Sequence, residues 1–130
     1  MQAHTDISSI DDIKLLVDTF YGRIQADDLL GPVFNDRIQD KWPVHLDKMY
    51  RFWQTVLLEV YTYSGRPFPP HDQLPIDGIH FKRWLELFSQ TVDELFAGNK
   101  ATEAKWRAGK MAEMFEHKIA YIKKNPLNIL

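Results

Sequence analysis

Four of the seven prolines in this chain fall in one short stretch, "GRPFPPHDQLP", as Pro67, Pro69, Pro70 and Pro75. Proline lacks an N–H and its ring collides with the preceding helical turn, so no regular helix can run through this stretch. The pattern upstream is helical: Ile10, Ile13, Leu16, Val17, Phe20, Tyr21 and Ile24 recur at three- and four-residue steps, the spacing of one helix face. No segment shows the period-two alternation of a strand. An all-α fold follows, built of helices with short breaks between them.

Capping residues set the expected boundaries. Ser9 is placed to cap a helix over Ile10–Ala26. Gly31 and Pro32 then interrupt, leaving at most a short helical turn in "DDLLGPVFND". Asp40 is placed to cap a second long helix, with Pro43 near its start, reaching about Tyr63 and stopping at Ser64–Gly65. Asp77 is placed to cap Gly78–Ala97, and the last helix covers about Thr102–Lys124, ending before Pro126. A chain of 130 residues, 45% hydrophobic, suits a single domain over 1–130 with one buried core.

Composition removes several chemistries. There is no cysteine, so disulfides, thiolate-held zinc, iron–sulfur clusters and a cysteine nucleophile are excluded. A net charge of −2 gives no strong field for nucleic acid. No apolar run approaches the ~20 residues of a membrane span. The opening "MQAHTDISSIDD" is polar and acidic, unlike a signal peptide, and cytoplasm is the expected compartment. Phosphate loops, Gly-rich dinucleotide turns and Glu-x-x-His pairs are all missing.

What remains is aromatic. Aromatic residues make up 13% of the chain, and such side chains line pockets for flat ligands as well as filling cores. His45 begins a helical face shared by Met49, Phe52, Trp53 and Val56. Met49 and Phe52 would be apolar walls there, and His45 a gate or hydrogen-bond donor. His71 sits in the proline-rich break, where a rigid segment can hold an imidazole at one angle. Trp84 lies in the following helix, and Tyr21 among apolar residues of the first. Together these residues suit a flat iron cofactor: an axial histidine on one side, with Tyr21 and Trp84 donating to a ligand bound at the iron. His80, beside Phe81, rivals His71 as the axial ligand, and position alone leaves both open. Two other readings fit the same residues. One is a cofactor-free helical partner-binding module in which the aromatic stripe is core and groove. The other is a non-haem metal protein using His71, His80 and carboxylates.

The order and separation of these residues resemble the truncated haemoglobins, or two-over-two globins, and their third group most. The resemblance runs from "VDTFYGRIQADDLLGPVFN" through "WPVHLDKMYRFWQTVLL" to "YSGRPFPPHDQLPIDGIHFKRWLELF". It implies a helical sandwich around haem b, with Ile10–Ala26 paired to the helix carrying His45 and the last two helices paired to each other. It implies His71 as proximal iron ligand, His80 belonging to the "HF" that follows and not ligating, and Tyr21, His45 and Trp84 as distal polar residues. Phe34 would pack against the haem edge, Met49 would be a distal apolar residue, and Phe52 and Phe81 further walls. Lys48, Arg51 and Arg83 are candidate propionate partners. The implied function is binding of dioxygen, nitric oxide or other diatomics at ferrous iron. With two donors slowing release, nitric oxide or peroxide handling is favoured over bulk oxygen transport, with a separate reductase as partner.

Overall fold

The computed structural model describes residues 4–63 and 76–124; the side chains of 122–124 are outside that description. Among the described residues every regular element is helical. The order is α1 (Ile10–Ala26), α2 (Leu30–Ile38), a 3-10 turn (Gln39–Lys41), α3 (Trp42–Leu58), α4 (Gly78–Leu95) and α5 (Asn99–Lys124).

α1 begins where the capping signal places it. The Asp12 N–H donates to Ser9 Oγ at 3.3 Å, and the Ser9 N–H donates back to the Asp12 carboxylate at 3.2 Å, satisfying two donors that a helix start leaves open. Its end is also the next start. The Asp27 carboxylate accepts the Leu29 and Leu30 N–H groups at 3.1 and 3.0 Å. α2 is nine residues long, more than the short turn expected. Pro32 falls in its first turn, where the missing N–H has no helical partner to lose.

α3 differs from expectation at both ends. Asp40 does not cap it: Asp40 lies in the 3-10 turn, and Lys41 precedes the helix without a side-chain cap. The helix stops at Leu58, short of Tyr63, because Glu59 turns left-handed at φ 58°. Thr55 Oγ1 then accepts the Thr62 and Tyr63 N–H groups, both at 3.1 Å, and folds the chain back on the helix end. α4 is capped by Asp77 as expected, its carboxylate accepting the Ile79 N–H at 3.2 Å. α5 starts earlier than expected, at Asn99. The Asp6 carboxylate accepts the Lys100 and Ala101 N–H groups at 2.9 Å each, a cap supplied from the far end of the chain.

The helices form two antiparallel pairs. In the first, Asp18 and Tyr21 of α1 meet Tyr50 and His45 of α3, so residue numbers rise on one helix as they fall on the other. In the second, Lys105 of α5 pairs with Asp93 of α4 at 2.6 Å, and Glu116 lies beside Gly78. Ala104 and Ala108 are fully buried, and their small side chains let α5 approach its neighbours closely. The apolar interior is divided. A large cluster joins α1, α2 and α3 with the later turns of α4 and the Ala101, Ala104 and Ala108 side chains of α5. A smaller one holds Ile76, Phe81, Ala112, Phe115 and Ile119.

Candidate functional site

A cleft opens between these two clusters, with about 630 Å³ of space not filled by protein atoms. Tyr21, Leu30, Phe34, Phe52 and Trp53 line it from the large cluster. Ile76, Phe81, Ala112 and Phe115 line it from the small one. Met49 of α3 and Trp84, which packs against both clusters, complete the lining with Met111 and His80. Each of the five helices therefore contributes to the wall.

Tyr21 is the polar group set deepest. It is 5% exposed, and burial pushes its phenol well above its usual value. It therefore keeps its proton, and stays a donor, across the physiological pH range. Among the described residues its hydroxyl has no hydrogen-bond partner. It belongs to the cleft lining, where an acceptor brought in by a ligand would meet it.

Aromatic packing holds the walls in place. Phe88, 1% exposed, is stacked between the two cleft tryptophans. It lies 5.0 Å from Trp53 at 21° and 5.7 Å from Trp84 at 8°. Phe20 meets Phe88 and Trp84 edge-on at 5.1 and 5.4 Å. Such pairs are worth about 0.5–1.5 kcal/mol beyond the area they bury, and a stack with neighbours on both sides leaves the indoles little rotamer freedom. Phe52 is held similarly, edge-on to Trp53 at 5.3 Å and to Tyr63 at 5.4 Å.

Six of the residues expected at the site line the cleft: Tyr21, Phe34, Met49, Phe52, Phe81 and Trp84. His45 is placed differently. Its ring stands edge-on to Tyr21 at 5.0 Å and to Trp42 at 5.5 Å, with Nε2 closed off from solvent. It backs Tyr21 and is not part of the described lining. His71, expected to hold iron, lies outside the described residues. Two of the three candidate propionate cations face elsewhere. Arg83 is bonded to the almost fully buried Asp27 carboxylate at 2.7 Å and reaches toward Glu86, while Arg51 pairs with Asp47 at 3.1 Å.

Sequence reasoning missed the α5 contribution of Met111, Ala112 and Phe115. Their three- and four-residue spacing marked a buried face, but nothing local says which face borders a cleft. It weighed His80 only as a rival metal ligand, which the resemblance set aside, and gave it no place in the wall, although His80 is part of the lining. Among the described residues no three His, Asp or Glu side chains gather as a metal site. An apolar, aromatic cleft with a few N–H and O–H donors suits a flat, mostly apolar group bearing polar atoms.

Comparison with known proteins is consistent with this arrangement. Residues 4–120 match the family model described as bacterial-like globin. The chain is 30% identical over 109 residues to the group 3 truncated hemoglobin ctb of Campylobacter jejuni subsp. jejuni serotype O:2, a match covering 81% of this chain and 86% of that protein. It also superposes on the crystal structure of a group III truncated hemoglobin from Campylobacter jejuni with a TM-score of 0.82. That match has 27% identity and covers 90% of this chain and 95% of the other.

Proposed function

The chain belongs to the bacterial-like globins and, within them, to the group III truncated haemoglobins, and from that premise we propose that its cleft holds haem b and that it binds dioxygen, nitric oxide or other diatomics. The observation that carries this reading is Tyr21: a buried residue whose phenol keeps its proton and lines an otherwise apolar cleft. Haem, when bound, would supply a redox-active iron able to take a small ligand. The protein's part is to hold that group and to tune what binds to it.

His71 is the proposed proximal iron ligand. Tyr21 and Trp84 are the proposed donors to a bound ligand, their positions set by the aromatic stack and by α1. A ligand that gains partial negative charge is stabilised by such donors more strongly in an apolar site than in water. His45 is proposed to act on the ligand through Tyr21, whose ring it touches. Phe34, Met49, Phe52 and Phe81 are the proposed walls that exclude water.

Two donors on one small ligand slow its release. That favours chemistry on the ligand, such as consumption of nitric oxide or peroxide, over bulk oxygen delivery. Such turnover needs a separate reductase to restore ferrous iron. The test is to mix ferrous, dioxygen-loaded protein with nitric oxide and follow nitrate, and to supply ferric protein with peroxide and a reducing dye. Nitrate formation or dye oxidation at rates well above free haem is expected. Failure of both would remove the reactive role and leave ligand binding alone.

A further inference from the structure

The two carboxylates on the edge of a haem-type cofactor need partners, and two of the three cations first suggested for them are engaged elsewhere, while Lys48 is not among the described lining residues. Arg83 is tied to Asp27 and Glu86, and Arg51 to Asp47. Among the described residues lining the cleft there is no lysine or arginine. His80 is the one lining side chain there that can carry a positive charge.

Its surroundings determine what it can offer. The Asp77 N–H donates to His80 Nδ1 at 3.2 Å. The Asp77 carboxylate lies equally close to Nδ1, at 3.2 Å, so Asp77 occupies that nitrogen in either tautomer. Nε2 is the nitrogen left for a ligand, and it carries a proton in the Nε2–H tautomer and in the charged ring. The location suits the same role. The His80 side chain is 17% exposed, between Asp77 and Ile79 before it, 65% and 63% exposed, and Phe81 after it, 7% exposed. The ring thus stands at the cleft mouth, where a charged group can keep water while an apolar ring is buried. The Asp77 carboxylate lies 3.2 Å from Nδ1 and Glu116 lies beside Gly78, so what His80 contributes is a directed N–H rather than excess positive charge.

We propose that His80 anchors the cofactor, its Nε2–H donating to a carboxylate on the porphyrin edge at the cleft mouth. The proposal rests on the haem reading above. The experiment loads wild type, His80→Ala and His80→Gln with protohaem and, separately, with its dimethyl ester, whose carboxylates are blocked. Loss of cofactor to an excess of scavenging apoglobin is followed by absorbance. His80→Ala should lose protohaem roughly tenfold faster than wild type. His80→Gln, which retains a donor, should lie between them, and all three should release the ester at similar rates. Equal acceleration with the ester would make His80 a packing residue and overturn the proposal. So would unchanged protohaem loss, or a change of axial ligation in the spectrum of either variant. Wild type that takes up neither form would instead defeat the haem reading itself.

Discussion

Replacing Tyr21 by Phe should move stability and ligand retention in opposite directions. The hydroxyl belongs to a residue that is 5% exposed and lines the cleft, and burial holds its proton on. In cofactor-free protein its removal relieves a desolvation cost of about 1–3 kcal/mol, less whatever cleft water already recovers. Cofactor-free Tyr21→Phe should therefore be between unchanged and about 1 kcal/mol more stable, with Tm up by as much as ~4 °C. In the loaded ferrous protein the same change removes a donor to a partly charged ligand, worth about 1.5–3 kcal/mol. At about 1.4 kcal/mol per tenfold, dioxygen should leave roughly 10- to 150-fold faster. Trp84 remains as a second donor, so the lower end is expected. Urea unfolding of the cofactor-free protein gives the first quantity, and stopped-flow displacement of dioxygen by carbon monoxide gives the second. A cofactor-free variant destabilised by more than about 1 kcal/mol would mean that the hydroxyl has a native partner. Unchanged dioxygen release would mean that Tyr21 does not donate to the ligand.

Three further outcomes are expected. Phe88→Ala, which removes the ring between Trp53 and Trp84, should cost about 4–5 kcal/mol and weaken the near-ultraviolet circular dichroism of the tryptophans; a cost below about 2 kcal/mol would mean the stack is not what holds them. Gly31→Ala would place a Cβ 2.7 Å from the Gln25 carbonyl oxygen, pushing α2 from α1 at a cost of about 1–3 kcal/mol in urea unfolding; a neutral result would contradict the close approach. Burial pushes the Asp27 carboxyl up, but the Arg83 hydrogen bond and charge, with the Leu30 and Leu29 N–H groups, outweigh it and hold the carboxyl below its usual range. A depressed carboxyl contributes stability above its unfolded value of about 3.9 and loses it as pH falls through the folded value. The stability gap between wild type and Asp27→Asn should thus be constant near neutrality and shrink below about pH 4; a gap that persists to pH 2 would contradict the ionised pair.

How far the sequence alone reached depended on the range of each signal. α1 was legible to its end residues because its cap, Ser9 with Asp12, is three residues long and its apolar face is regular. The start of α5 was not, because its cap is Asp6, 94 residues from the Lys100 N–H it accepts. α2 was underestimated because Pro32 reads as a break unless one knows that it falls in a first turn. α3 was overextended because nothing local marks Glu59, a poor left-handed residue, as the stop; Thr55 imposes the turn from the previous helical turn. The site behaved alike. Tyr21, Met49, Phe52 and Trp84 stood out because they break or enrich an apolar face on their own helices. The α5 wall and the place of His80 depend on how α4 and α5 pair, which periodicity does not encode. His45 was identified on its helix, but only the fold shows it standing behind Tyr21.

The central claim is that this cleft holds haem with His71 on the iron. Its most direct measurement is the visible spectrum, ferric and ferrous, of purified protein supplied with haem, beside His71→Ala and His80→Ala. A strong porphyrin band is predicted, with axial ligation lost or altered in His71→Ala alone. Altered ligation in His80→Ala alone would keep the cofactor and overturn both histidine assignments. No band in wild type, even with added haem, would contradict the account and leave a cofactor-free helical module in its place.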